Sequence, residues 1–298
     1  MSYAIEPVVQ DGNKCGEAPT WDAPNRRVLW TDNETDTTYQ YNVDTGERKV
    51  LTRGVVVSGI ALNRSGGLLL GGPTGLHFWQ DGQWRSMAAT YKGEELKIND
   101  MIADPQGRIY AGTMYWGAGG MEKTGCLYLI APDASVRVVD EGIELANGLG
   151  FSPDNRTLYF TDSTARKIYA YDVNPSTGEL SGRRVVVQVP TDEGIPDGLT
   201  VDAEGYIWSA QWYGSQIVRY DPQGKVERRI AMPVKQVSSI IFGGDDLTDL
   251  YVTTAGQSWV GPYAPPGYDF NAPNIGGSLY RIRVGIQGRP EHLADFAW

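Results

Sequence analysis

A repeat of 41 to 50 residues runs through most of this 298-residue chain. Each copy opens with a polar, oxygen-bearing residue and continues into a short apolar segment of strand-like character. The six opening residues are Glu17, Ser58, Asn99, Asn147, Asp197 and Ser238. Repeats of roughly 40–50 residues that are built from short strands are typical of β-propellers. The spacing therefore predicts an all-β, six-bladed β-propeller with four antiparallel strands per blade, formed by residues 1–298 as a single domain.

The fourth repeat shows the strand pattern of one blade most clearly. Its predicted strands are residues 147–152, 157–162, 167–172 and 184–189. The third of these alternates between polar and apolar residues, as a strand in a sheet does, and turn-forming residues separate it from its neighbours. A helical fold finds no support, because no stretch of the chain keeps an apolar period of 3.6 residues between helix caps.

Two features depart from the regular repeat. Insertions at residues 114–125 and 256–277 fall between the second and third strands of blades three and six. Long connections of this kind are either lids over a functional site or mobile decoration, and the sequence leaves both interpretations open. The sixth blade needs a fourth strand from one end of the chain, and the segments 5–9 and 292–296 are both candidates.

Composition limits the partners that we expect. The net charge is −10, which is unfavourable for binding nucleic acid, and no apolar run approaches the length of a membrane span. The N-terminus lacks a basic segment followed by an apolar one, so a cytoplasmic location is the expectation. Cys15 and Cys126 are expected to be free structural thiols, with Cys15 close to the site because it lies two residues before Glu17. The protein is expected to be a monomer or a small homo-oligomer.

The opening residues of the repeats also predict a site. The innermost strand of a blade begins near the central channel, so these residues should surround one mouth of it. Glu17, Asn147 and Asp197 would supply two carboxylates and one amide oxygen, a set that suits a hard divalent cation. Asn99 could bind the ion directly, reach it through water or contact a substrate. The alternative is that Asn and Asp before Gly only form turns at the rim, but carboxylates that converge on one axis are costly without a cation.

Other catalytic constellations are excluded by residue type. The chain has two histidines, His77 and His292, and it contains neither a G-x-S-x-G motif nor a phosphate-binding loop. A Ser-His-Asp triad or a His-rich zinc site is therefore not expected. Catalysis would have to depend on the metal and the carboxylates.

Several segments carry a resemblance to a known family. They include Cys15-Gly-Glu-Ala-Pro-Thr-Trp, Arg108-Ile-Tyr-Ala-Gly-Thr-Met, Asn147-Gly-Leu-Gly-Phe-Ser-Pro-Asp, Tyr159-Phe-Thr-Asp-Ser and Pro196-Asp-Gly-Leu. From about residue 15 to residue 281, the chain resembles the regucalcin/gluconolactonase family of sugar lactonases, which also includes senescence marker protein and luciferin-regenerating enzyme. The resemblance implies that Glu17, Asn147 and Asp197 bind one divalent cation (Ca, Zn, Mn or Fe) and that Asn99 contacts the substrate or a water on that ion.

Two positions depart from the family pattern. Lys97 stands where these lactonases commonly have Arg, and Tyr115-Trp116-Gly117 follows the Gly-Thr-Met segment where acidic residues are often found. Lys still offers hydrogen-bond donors, but without the planar fork of Arg. The two aromatic residues suggest a flatter or more apolar ligand than an open aldonolactone.

The resulting hypothesis is a metal-dependent lactonase with a small-molecule lactone as substrate. The cation would polarise the ester carbonyl, and Asp197 would also act as general base toward the attacking water. Asn99 and Lys97 would orient the substrate, while Trp116 or Trp212 would wall the pocket. Hydrolysis of phosphotriesters or other activated esters at the same ion, and a non-catalytic metal-binding propeller, are the alternatives.

Overall fold

The computed structural model describes residues 3–117 and 119–298, and the regular structure in them consists entirely of β-strands. The strands are β1 (Ile5–Val9), β2 (Gly16–Asp22), β3 (Arg27–Asp32), β4 (Thr37–Asn42), β5 (Arg48–Arg53), β6 (Gly59–Leu62), β7 (Leu68–Gly72), β8 (Gly75–Gln80), β9 (Gln83–Ala88), β10 (Thr90–Tyr91), β11 (Glu94–Glu95), β12 (Ile98–Ala103), β13 (Ile109–Thr113), β14 (Tyr115–Gly117), β15 (Gly120–Lys123), β16 (Gly125–Ile130), β17 (Val136–Ile143), β18 (Ala146–Phe151), β19 (Thr157–Asp162), β20 (Lys167–Val173), β21 (Leu180–Gln188), β22 (Ile195–Val201), β23 (Ile207–Trp212), β24 (Gln216–Tyr220), β25 (Val226–Ala231), β26 (Val237–Gly243), β27 (Asp249–Thr254) and β28 (Leu279–Arg283).

Six four-stranded antiparallel sheets form the blades of a β-propeller, so the fold predicted from the repeat is confirmed. Five of the sheets follow the chain outward from the axis, in the orders β2-β3-β4-β5, β6-β7-β8-β9, β12-β13-β16-β17, β18-β19-β20-β21 and β22-β23-β24-β25. The innermost strands contact one another in a closed ring, β2-β6-β12-β18-β22-β26 and back to β2. Two short hairpins, β10-β11 and β14-β15, lie outside the blades.

The sixth blade is completed by the N-terminal strand. Its order is β26-β27-β28-β1, with Ile5 opposite Ile282 and Val9 opposite Leu279. Of the two candidates that the sequence offered, segment 5–9 therefore closes the ring.

The segment 292–296 has a different position. It runs beneath blades two and three, where the Ala294 N–H donates to the Leu62 carbonyl at 2.9 Å and the Asp295 N–H donates to the Gly107 carbonyl at 3.0 Å. The last residues of the chain thus connect two blades that lie far from the sixth one in sequence. The propeller is fastened by both of its ends, at two different places.

The core lies between the blades. Six apolar clusters occupy the six interfaces between neighbouring blades, and each draws side chains from both sheets. Trp30 lies between blades six and one, Trp208 between blades five and six, and Tyr110 packs with Phe160 between blades three and four. Because each sheet is covered on both faces, its central strands are apolar almost throughout. A helix that could span a membrane is absent from the described residues.

Candidate functional site

Irregular positions in the innermost strands present polar side chains to the axis. Pairing of these strands with the second strands shifts register at four of the residues that open the repeats. These residues are Asn99, Asn147, Asp197 and Ser238. In β2 the shift directly follows Glu17, at Ala18, whose φ is 49°. Such bulges change the direction in which a side chain points, so these polar residues are aimed differently from the apolar residues of the same strands.

The glycines that follow two of these residues permit close approach of neighbouring strands. A Cβ at Gly148 would lie 2.2 Å from the Leu199 nitrogen, and one at Gly198 would lie 2.0 Å from the Ser239 Oγ. Asn147-Gly148 and Asp197-Gly198 thus lie inside β18 and β22, where neighbouring blades meet at the axis. The interpretation of these pairs as rim turns is wrong.

A cavity of about 550 Å³ at this end of the channel brings four of the opening residues together. They are Glu17, Asn99, Asn147 and Asp197. Trp116 and Trp212 line the same cavity, and their contact with a substrate stays a prediction. Lys97, which the sequence predicted to orient the substrate, is not among the residues that line it, and its Nζ lies over the ring of Tyr115, 5.9 Å from the centroid.

Hydrogen bonds fix the two amides of the site. Asn99 Nδ2 donates to the Ala146 carbonyl at 2.7 Å and to Asn147 Oδ1 at 2.9 Å. Asn147 Nδ2 in turn donates to Ser163 Oγ at 2.8 Å. Both side chains are therefore oriented by neighbours, and the oxygen of each keeps a lone pair for a ligand.

The carboxylates lack comparable partners. Asp197 is 4% exposed, and its Oδ1 makes no hydrogen bond within the described residues. Glu17 Oε2 accepts only a long bond of 3.3 Å, from the Ala18 N–H. Burial, with the nearby charge of Asp100, raises the pKa of Glu17 to about 8. Burial, with the charges of Glu17 and Asp100, also raises the pKa of Asp197 well above its usual range.

This donor set fits a hard divalent cation. Carboxylate and amide oxygens are the ligands that such a cation prefers. A buried acceptor without a hydrogen bond costs about 1–3 kcal/mol of folding free energy, and a bound cation would offset this cost. No group of three or more His, Cys, Asp or Glu side chains suited to a metal occurs in the described residues. A site here would accordingly depend on the amide of Asn147 in addition to Glu17 and Asp197.

Further residues line the cavity, and only Cys15 among them was expected there. Cys15 lies on its wall, as its closeness to Glu17 suggested, and burial with the charges of Glu17 and Asp197 raises the pKa of its thiol. Ser163, Lys14 and Glu34 also line the cavity, although nothing in the repeat pattern marks them. Ser163 ends the Tyr159-Phe-Thr-Asp-Ser segment that carries the family resemblance, but its place in the site follows only from its hydrogen bond to Asn147 in the folded chain.

The two insertions border the same cavity. The first forms the hairpin β14-β15 and contributes Trp116, while the second contributes Ser258, Trp259 and Val260. The rings of Trp116 and Trp259 meet edge to face with centroids 5.3 Å apart, so the insertions contact each other beside the opening. Their function as lids stays a prediction.

Beneath the site the channel narrows to a cavity of about 60 Å³. Asp100, Glu291 and His292 line it together with apolar residues of the inner strands. Burial raises the pKa of both Asp100 and Glu291 to about 7. The C-terminal segment thus closes the channel from the end opposite the candidate site.

Comparisons with known proteins agree with this architecture. The family model described as "SMP-30/Gluconolactonase/LRE-like region" matches residues 15–256. The chain is 37% identical over 289 residues to pentonolactonase XacC of Haloferax volcanii, covering 97% of each chain. It is 31% identical over 297 residues to regucalcin of Homo sapiens, covering 96% of this chain and 97% of that one.

Solved structures give the same result. A luciferin-regenerating enzyme superposes with a TM-score of 0.88 and 26% identity, covering 99% of this chain and 100% of that chain. A calcium-binding protein, regucalcin from Agrobacterium tumefaciens, gives 0.85 and 25%, covering 98% of each. The resemblance inferred from the motifs is confirmed: the chain belongs to the SMP-30/gluconolactonase/LRE-like family.

Proposed function

We propose that this protein is a lactonase that hydrolyses the ester ring of a small lactone in the 550 Å³ cavity, with one divalent cation held by Glu17, Asn147 and Asp197. The observation that carries the proposal is the buried Oδ1 of Asp197, which has no hydrogen-bond partner in the described residues and lies beside a second carboxylate. The pentonolactonase relative supports the reaction class, since it matches over 97% of both chains.

The cation, when bound, would polarise the ester carbonyl and offset the negative charge that develops on its oxygen. The protein's own groups supply the rest. Asp197 accepts a proton from the attacking water with its carboxylate, which is the general-base step. Asn99, with its Nδ2 committed to Ala146 and Asn147, presents its Oδ1 to a hydroxyl of the substrate.

The cavity wall supports this chemistry by limiting water. Trp212 is 8% exposed and packs in an apolar cluster with Ile195, and both border the carboxylates. Electrostatic interactions are stronger in such partly dry surroundings than in water. Lys97 has no part in the proposed mechanism, because its ammonium lies over Tyr115.

The test is a substrate panel measured against the metal. The protein is freed of metal with a chelator, reloaded with Ca, Mn, Zn, Fe or Mg in turn, and assayed on pentono- and gluconolactones and on phosphotriesters by acid release. We expect lactone hydrolysis that chelation abolishes and at least one ion restores. Faster hydrolysis of phosphotriesters would favour the alternative hydrolase, and no turnover of any ester with any ion would overturn the proposed function.

A further inference from the structure

The mouth of the cavity carries a fixed aromatic surface. Trp116 is held by a hydrogen bond from its Nε1 to the Glu144 carbonyl at 2.9 Å. Trp259 stacks on Tyr263 with ring centroids 5.5 Å apart and meets Trp116 edge to face. The carbonyl of Tyr263 accepts from Arg166 Nη1 at 3.0 Å. Both indoles are therefore oriented before any ligand arrives.

Polar side chains stand at the same mouth. Lys14, Glu34 and Gln257 are exposed and line the cavity. Neither Lys14 nor Glu34 makes an ion pair among residues 3–117 and 119–298. The Gln257 N–H donates to the Lys14 carbonyl at 3.0 Å, which attaches the second insertion to blade one. This bond joins the backbone segments that carry Lys14 and Gln257, and the exposed side chains of the mouth are available to a ligand.

The cavity is larger than a single-ring lactone requires. Sites for small ligands occupy about 300–1,000 Å³, and a monosaccharide lactone belongs at the lower end of that range. The cavity measures about 550 Å³, and the proposed chemistry uses only its buried floor. The remaining space lies between the aromatic surface and the polar side chains of the mouth.

We propose that this outer space is a subsite for a second sugar ring, so that the preferred substrate is an aldonolactone that carries a glycosyl group. This inference rests on the proposed function and specifies its substrate class. A sugar ring presents its C–H face to Trp116 or Trp259 and its hydroxyls to Lys14, Glu34 and Gln257, so both kinds of surface are used. An alkyl substituent would instead cover these polar groups without bonding them, which costs affinity.

The test compares gluconolactone with its galactosylated form, lactobionolactone, on the metal-loaded enzyme. We expect kcat/KM to be at least about 10-fold higher for the disaccharide lactone, which corresponds to about 1.4 kcal/mol of additional binding free energy. Trp259→Ala and Gln257→Ala should each remove most of that preference and leave gluconolactone hydrolysis within about twofold. Trp298→Ala and Gln287→Ala change the same residue types at exposed positions outside the cavity and should preserve the preference.

A second measurement does not depend on turnover. The products, lactobionate and gluconate, are titrated into the metal-loaded protein by calorimetry, and lactobionate should bind more tightly in the wild type but not in Trp259→Ala. If the Ala variant fails to fold, Trp259→Leu serves in its place. Equal kcat/KM for the two lactones, or equal binding of the two products, overturns the subsite and leaves the lactonase proposal standing. Hydrolysis of neither lactone overturns the proposed function, and the binding of lactobionate then decides the subsite alone.

Discussion

The C-terminal segment offers a sharp test of how the propeller is held together. Phe296 is 1% exposed and packs in the apolar cluster between blades two and three, together with Ala294. Its N–H also donates to Asn63 Oδ1 at 2.9 Å. Replacing a buried Phe with Ala typically costs about 3–5 kcal/mol, because transfer energy is lost and a cavity remains. We therefore predict that Phe296→Ala lowers the free energy of unfolding by about 3–5 kcal/mol.

The assay is urea unfolding followed by tryptophan fluorescence and circular dichroism in parallel, since a large ring requires a check for intermediates. Leu293→Ala is the matched control, because Leu293 is 38% exposed and three residues away. Its expected cost is below about 1 kcal/mol. The folded fraction of Phe296→Ala should keep its lactone turnover, since the segment closes the channel at the end opposite the site. A cost for Phe296→Ala no larger than that of the control would refute the idea that this segment fastens blades two and three.

Two further predictions concern the axis. Gly198→Ala should destabilise the protein by roughly 1–3 kcal/mol and lower turnover, because its Cβ would lie 2.0 Å from Ser239 Oγ and 2.6 Å from Ser239 Cα. Gly119→Ala is the control and should be nearly neutral in thermal unfolding, because nothing lies within 4 Å of its Cβ. Equal effects of the two substitutions on thermal unfolding would contradict the prediction. Glu291→Gln should flatten the pH dependence of the free energy of unfolding. The pKa of Glu291, which faces Asp100, Arg289 and His292, is raised from 4.5 to about 7 in the folded protein. Between these two pH values the folded wild type keeps a proton that the unfolded chain releases, so its free energy of unfolding falls by about 1.4 kcal/mol per pH unit. Urea unfolding from pH 4 to pH 8 checks it, with the exposed Glu179→Gln as control, and an unchanged slope in Glu291→Gln would contradict it.

Much of the architecture could be predicted because the repeat is a property of the sequence alone. Equivalent positions in six similar blades must converge on one axis, so Glu17, Asn99, Asn147 and Asp197 could be grouped although up to 180 residues separate them in the chain. The register shifts at these positions were not predicted. They depend on strand pairing, which leaves only a weak signal in the sequence.

The strand that closes the ring and the residues at the mouth of the cavity could not be predicted for a different reason. The segments 5–9 and 292–296 are both short and partly apolar, and only their distant partners distinguish them. Lys97 follows the blade pattern, yet its ammonium lies over Tyr115, a residue of an insertion that belongs to no repeat. Trp259 likewise lies in sequence without periodicity, so its place beside Trp116 emerges only in the folded chain.

The central claim is that Glu17, Asn147 and Asp197 hold one divalent cation on which lactone hydrolysis depends. The most direct measurement determines bound ion and lactone turnover in the same samples of wild type, Asp197→Asn and the exposed control Asp192→Asn. We predict one ion per chain and full turnover in the wild type and the control. In Asp197→Asn we predict loss of the ion and at least about a 100-fold loss of kcat, the lower end of the contribution of a positioned base. Undiminished hydrolysis in Asp197→Asn, or in wild-type protein freed of metal, would contradict the account.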